Sequence, residues 1–255
     1  MFVVLKRKEI VKALIVVIVF VCCVVCLSFA DVDRTVFAVR TRKLPVYRVD
    51  NGEENAIAIS FDAAWGADKT RKIVEILQER GVKATFFLVG FWADAYKDEV
   101  AFLADSGMEI GNHSKNHFHM NSLSGAEVKE EIDYVNRTVR NLIGVTPTVF
   151  RAPFGEYDDK LISSVEELGM IPIQWDVDSL DWKGLSGEEI VQRVVGKVQS
   201  GSIILCHNNS DHILDALPVI LDQLMAKGFR FVTMSELVYA DNYTIDAQGV
   251  QHKNK

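Results

Sequence analysis

Cysteine is scarce in this chain of 255 residues. Three of its four cysteines, Cys22, Cys23 and Cys26, lie inside one apolar run, and none follows the small residue that bacterial lipid attachment requires. Beyond residue 30 Cys206 stands alone, which excludes a disulfide within that part and leaves its stability to a buried core. A basic excess is missing too: residues 31–255 carry 24 basic and 34 acidic side chains, a net charge of −10, which argues against nucleic acid as a partner. No Gly-x-Gly-x-x-Gly follows the first strand-like run, which argues against a dinucleotide site. Apolar residues are plentiful: at 49% of the sequence they exclude disorder as the default and suffice for one large domain.

Charge is also absent from residues 13–30, an apolar run preceded by Lys6, Arg7, Lys8 and Lys12. This pattern predicts a membrane-targeting segment over residues 1–30. As a helix, eighteen residues extend roughly 27 Å, long for a signal-peptide core and just enough for a span. The length and basic flank favour a single-pass anchor with an extracytoplasmic domain. Secretion after cleavage at Ser28-Phe29-Ala30 is the alternative.

From there on, apolar β-rich runs at 56–61, 83–89, 108–111, 147–150, 170–175, 202–205 and 229–232 alternate with helical patterns. Gly81, Gly107, Gly144, Gly169, Gly201 and Gly228 stand where left-handed helix caps belong. Seven β/α units imply parallel strands with right-handed crossovers, hence an α/β barrel or a doubly wound sheet. Residues 31–54 are expected as an N-terminal extension packing alongside the domain of residues 55–240, with residues 46–49 a strand, Asp50-Asn51-Gly52 a turn and residues 56–60 the strand that follows. Residues 241–255 are expected as a C-terminal tail.

Polar residues recur where these strands end. Asp62, His113, Arg151, Asp176 and His207 follow the first, third, fourth, fifth and sixth runs, so a parallel fold gathers them at its C-terminal edge, where active sites of this architecture lie. His113 and His117, four apart, suit a shared metal ion, although two surface histidines on a helix match the same spacing. An acid such as Asp62 beside a metal activates bound water, so the pattern points to metal-assisted hydrolysis.

Five stretches resemble, in order, the motifs of the polysaccharide deacetylases with the NodB homology domain, carbohydrate esterase family four. They are Ser60-Phe61-Asp62, His113 to His117, Arg151-Ala152-Pro153-Phe154-Gly155, Asp178-Ser179-Leu180-Asp181-Trp182 and Leu205-Cys206-His207. The resemblance covers about residues 55–240 and implies a distorted (β/α)7 barrel that removes acetyl groups from a glycan. Phe61 to Gly66 and Gln174-Trp175-Asp176 are similar to the subgroup of spore-forming bacteria, whose best-known members act in sporulation. By the family's logic Asp62 is the general base and His207 the general acid. Arg151 orients the base, Asp181 holds Arg151, and His113 and His117 bind a divalent metal, expected to be zinc. Trp182 and Leu205 form an apolar wall against the acetyl methyl, and Pro153 of the third motif lines the substrate. The implied partner is an N-acetylated cell-wall polysaccharide such as peptidoglycan.

The chain departs from the family pattern at Ala63, where active members carry a second, metal-binding aspartate. Two histidines then remain of the three protein ligands usual for catalytic zinc. This motivates weak metal binding and an alternative function, a cell-wall glycan-binding protein without efficient catalysis. Asp68 is read as a helix N-cap rather than a replacement ligand, and His119, Asn208, Asn209 and His212 are other nearby groups able to coordinate. Asp176 and Asp178 are read as loop caps, and the Cys206 thiol as packing, since adjacent strand residues face opposite ways. Phe86-Phe87 and Phe91-Trp92 fit a buried strand and a helix start. Trp65 suits either stacking on a pyranose or core packing.

Overall fold

The computed structural model describes residues 7–32, 42–52 and 54–254. The chain divides into two compact units, residues 1–42 and 43–255. In the first, α1 (Arg7–Val32) is a helix of 26 residues whose side chains from Leu14 to Val21 are exposed. Among the described residues no helix is long and apolar enough to cross a membrane, so the expected span is not shown. The side chains of residues 23–32, including the expected cleavage site, and residues 33–41 of the expected extension lie outside the described residues.

In the second unit, β2 (Ala56–Ala63) reads Ala-Ile-Ala-Ile-Ser-Phe-Asp-Ala, and its two faces bury different things. Ile57, Ile59, Phe61 and Ala63 face a large cluster shared with the helices, whereas Ala56 and Ala58 join an inner cluster with Phe87, Val149 and Ile203. A strand buried on both faces belongs in the middle of a covered parallel sheet. There β2 sits, flanked by β3 (Thr85–Leu88), β4 (Glu109–Asn112), β5 (Val149–Arg151) and β6 (Ile171–Ile173) on one side. On its other side lie β8 (Ile203–His207) and then β7 (Val177–Asp178), every pairing parallel. The short β9 (Arg230–Phe231) joins the start of β2.

Helices fill the connections: α2 (Thr70–Gln78), α3 (Gly90–Ala95), α4 (Lys97–Asp105), α5 (Gly125–Ile143), α6 (Asp159–Glu167), α7 (Gly187–Val195), α8 (Ile213–Ala226) and the short α9 (Met234–Leu237). Capping boxes start α5 at Ser124 and Glu127 and α7 at Ser186 and Glu189. All six glycines read as caps have positive φ.

The sheet is a curled seven-stranded half-barrel rather than a closed barrel, for among the described residues β6 and β7 do not pair with each other. The chain steps from β6 to β7 through Gln174, Trp175 and Asp176 with no helix between them. The N-terminal segment bridges this side: Val46 pairs with Ile173, and Arg48 with Ser202. Gly201 makes that approach possible, since a Cβ there would lie 1.6 Å from the Val49 carbonyl oxygen.

Two expectations at the chain ends change. The strand β1 (Arg48–Asp50) turns away from β2 and pairs in parallel with β11 (Val250–Lys253). Residues 241–255 are not merely a tail, because β10 (Tyr243–Ile245) and β11 form an antiparallel hairpin that completes a three-stranded sheet with β1.

Candidate active site

The inner face of the half-barrel is apolar at its base and polar at its C-terminal edge. Along β2 the inward positions run Ala56, Ala58, Ser60, Asp62, so alternation on one strand carries the surface from packing to chemistry. Across the ladder Asp62 is the register partner of His207 on β8, and Ser60 of Leu205. Neighbouring strands lie ~4.8 Å apart, which places a carboxylate and an imidazole side by side.

Arg151, at the end of β5, is fully buried. Its Nη1 donates to Asp62 Oδ1 at 2.7 Å and to Ser60 Oγ at 2.9 Å, its Nη2 donates to the Gln174 carbonyl at 3.3 Å, and its guanidinium lies 4.1 Å from the Phe87 ring centre. Burial raises the Asp62 pKa, but the charge of the Arg151 guanidinium, aided by its hydrogen bond, outweighs it, and the carboxyl stays below its ordinary value. Asp62 is thus an ionised base at neutral pH.

Asp181 was expected to hold Arg151; it holds His207 instead. Its Oδ1 lies 2.7 Å from His207 Nδ1, and its Oδ2 accepts from the His207 backbone N–H at 2.8 Å. The reason is topological. Asp181 stands on the 3-10 turn after β7, which pairs with β8, whereas Arg151 sits on the other arm of the sheet. Burial lowers the His207 pKa, yet the hydrogen bond and charge of Asp181 exceed that and raise it above the ordinary value. His207 therefore keeps a proton more readily than a free imidazole, with Nδ1 fixed and Nε2 left for the cleft.

His113 follows β4, and its Nδ1 donates to the Arg151 carbonyl at 2.7 Å while Nε2 lies 3.5 Å from Asp62 Oδ2. The His113 and His117 rings are 5.0 Å apart. Glu131 on α5 holds the intervening loop through the backbone and side chain of Asn116. Burial pushes the pKa of both histidines down, that of His117 to about 4, so both favour the neutral form that donates to a metal.

Two neutral imidazoles on one loop are the right donor type for a transition metal. Among the described residues, however, no group of three His, Cys, Asp or Glu side chains is placed to hold an ion. Ala63 is fully buried in the outer apolar cluster and offers no donor. The other candidates are engaged elsewhere: His119 with Glu156, His212 with Asp215, and Asn208 with the Gly66 carbonyl and Thr70. Asn209 packs against Gly66. The residues present therefore fall one short of a three-ligand zinc site.

Of the remaining expected residues, Leu205 is buried on the face of β8 that carries His207, and Pro153 is buried at the start of the 3-10 turn Pro153–Gly155. Trp182 is exposed, with Lys183 Nζ 4.8 Å from its ring centre. Trp65 is 65% exposed, which excludes core packing. Asp176 does not reach the C-terminal edge, for it accepts from Ser202 Oγ and the Ile203 N–H where β8 begins. Asp178 caps its own loop through the Leu180 N–H. Asp68 is no N-cap: Lys69 holds that position without a side-chain cap. Cys206 is buried in the outer cluster, and burial pushes its thiol pKa well up. Ser60, Gln174 and Glu131 had no role assigned from the sequence. Ser60 and Gln174 lie in motifs the sequence shows, but their roles, like that of Glu131, are set by residues 15 or more positions away.

The Polysaccharide deacetylase family profile matches residues 50–173. A peptidoglycan-N-acetylglucosamine deacetylase of Bacillus cereus is 32% identical over 201 residues, covering 75% of this chain and 92% of that protein. Another of the same description and organism is 35% identical, covering 71% of this chain and 67% of that protein. Some relatives are longer: the chain spans 41% of the peptidoglycan-N-acetylmuramic acid deacetylase of Bacillus subtilis. Among solved structures, a Bacillus anthracis protein described as a pseudoenzyme of carbohydrate esterase family four superposes with a TM-score of 0.73 at 29% identity, covering 83% of this chain and 73% of that one. A mutant of that pseudoenzyme is described as having restored enzymatic activity. By sequence and by fold, the chain belongs to the polysaccharide deacetylase family.

Proposed function

We propose that this chain hydrolyses N-acetyl groups of a cell-wall glycan such as peptidoglycan. The observation that carries the reading is the pairing of two independently held groups on adjacent strands: Asp62, kept ionised by Arg151, and His207, whose hold on a proton Asp181 strengthens. Asp62 takes a proton from the water that attacks the acetyl carbonyl. His207 gives one to the departing amine through Nε2, which an amide requires because the unprotonated amine leaves poorly. Each positioned group typically contributes ~100-fold to ~10,000-fold. Leu205 and Trp182 supply the wall for the acetyl methyl.

Divalent-metal dependence is general among deacetylases of this family. His113 and His117 are the donors this chain offers, and zinc suits them, but with Ala63 the set is incomplete and no step here is assigned to a metal. That shortfall favours a second reading, a glycan-binding protein with weak or no catalysis, and the pseudoenzyme relative lends it support. The basic-flanked apolar run of residues 13–30 supports an extracytoplasmic location, anchored or secreted. The likeness to sporulation-type members supports a role in that process.

The test is acetate release from peptidoglycan and from N-acetylglucosamine oligomers by the full chain, with chelator and then with zinc. Release that disappears in Asp62→Asn and His207→Ala supports the deacetylase. Glycan binding without release establishes the second reading.

A further inference from the structure

The proposed base and acid stand on the last rung of their ladder. The register of β2 against β8 ends with Asp62 opposite His207, and the next bond across is a long one, from the Asn208 N–H to the Asp62 carbonyl at 3.3 Å. The end of a ladder frays unless something beyond it holds the two chains together. Two side chains do so here, one from each of the loops that leave these strands.

Asn208, directly after the acid, is buried, and its Nδ2 donates into the loop after the base, to the Gly66 carbonyl at 2.9 Å and to Thr70 Oγ1 at 3.2 Å. The Trp92 indole donates to the same carbonyl at 2.7 Å, which anchors this end to α3. Lys69 returns the contact. At the N-cap position of α2, it sends its side chain to the other loop rather than capping the helix. Its Nζ donates to the Ser210 carbonyl at 2.7 Å and to those of Asn209 and Asp211 at 3.4 and 3.5 Å. The two loops approach closely: Gly66 has positive φ, and a Cβ there would lie 2.3 Å from Asn209 Nδ2.

From this we infer that Lys69 and Asn208 are positioning residues, a reciprocal stitch that fixes the separation of Asp62 and His207. Each acts through the backbone of the other's loop. Three carbonyl oxygens converging on one ammonium form a cation cage, as carbonyls do when they replace an ion's hydration shell. The chain supplies that cation itself, so the shape of the loop after His207 depends on a charge carried by the loop after Asp62. A misplacement of about 1 Å costs a reaction on the order of 100-fold, which gives the stitch its leverage. This inference rests on the proposed roles of the acid–base pair.

The test compares the full chain as wild type, Lys69→Ala, Asn208→Ala and the double variant, by acetate release from an N-acetylglucosamine oligomer and by NMR of the His207 ring. Each single variant is expected to lose at least about tenfold in kcat with KM unchanged, and to shift or broaden the His207 signal. The double variant is expected to lose no more than the larger single loss, since both changes break one contact. Methylammonium chloride, which refills the cage, is expected to restore Lys69→Ala but not Asn208→Ala, and tetramethylammonium chloride, too large to enter, to restore neither. With wild type active, variants that melt earlier yet keep kcat would overturn the stitch and leave the deacetylase reading intact. No acetate from wild type would overturn that reading, and the His207 signal then judges the stitch alone: moved in both single variants it stands, unmoved it falls.

Discussion

Asp181 grips His207 at two points, accepting from the imidazole Nδ1 and from the backbone N–H of the same residue. One carboxylate therefore fixes ring orientation and strand end together, and its charge raises the imidazole pKa against burial. Asp181→Asn keeps both partners within reach but removes the charge, so burial dominates and the pKa falls. The alkaline limb of acetate release is expected to move to lower pH, with a loss of about 100-fold near neutrality, the lower end of a general acid's contribution. NMR titration of His207 checks the shift independently of turnover. The sign for stability follows: the raised pKa stabilises the fold fully below the ordinary histidine value, and this is lost as pH rises through the folded value.

Arg151 and Asp62 form the buried counterpart. Arg151→Ala leaves a carboxylate out of water with no cation, and such a broken pair costs about 3–5 kcal/mol. Urea denaturation at pH 7 is expected to show that loss, and a smaller one for Arg151→Lys. The Asp62 pKa is depressed, so the pair stabilises the fold above the ordinary carboxylate pKa, and the gain disappears as pH falls through the lower, folded value. Asp62→Asn is expected to flatten the acid limb of stability between those two values.

Much of this site is legible in the sequence because it depends on strand ends. Asp62, Arg151 and His207 each close an apolar run, and glycine caps mark where the next run starts, so a parallel fold leaves them little choice of edge. What the sequence hides is lateral. Nothing local shows that β7, two residues long, lies beside β8, yet that pairing gives Asp181 to His207 rather than to Arg151. The same holds for Asp176, whose place in the chain suggests the upper edge while its register against β8 puts it at the lower one. Phe154 lies within a motif, but its left-handed backbone is a property of the folded turn. The hairpin of β10 and β11 lacks the continuous apolar run that marks β2, because it is only partly buried and its edge pairs with β1 in a separate sheet.

Ala63 sets the third prediction. The residue is fully buried among apolar side chains, so Ala63→Asp brings a carboxylate into an apolar site and is expected to destabilise the metal-free protein by roughly 2 kcal/mol. If the new carboxylate joins His113 and His117, zinc offsets that loss, since a ligand at 100 times its Kd stabilises by about 2.7 kcal/mol. Thermal melts with chelator and with zinc test this directly. The variant is expected to melt below wild type without metal and to gain more from zinc than wild type does. An equal zinc response in the two proteins would mean that position 63 does not reach the histidines.

His252 sets the last. On β11 its Nδ1 lies 3.0 Å from Asp50 Oδ2 on β1, and its Nε2 lies 3.1 Å from Asp246 Oδ2. The imidazole thus ties the N-terminal strand to the C-terminal hairpin, the sheet that flanks the open side of the half-barrel. Hydrogen bonds to Asp246 and Asp50 raise its pKa, so the tie is complete below the ordinary histidine value and weakens as pH rises through the raised one. Because the group is exposed, salt screens the effect. His252→Ala is expected to lower amide protection in β10 and β11 at pH 6, and raised pH to do the same in wild type once exchange is corrected for its intrinsic rise with pH, with protection in β2 and β8 unchanged in both. Protection that also falls in β2 and β8 would show instead that the three-stranded sheet supports the half-barrel and with it the acid–base pair.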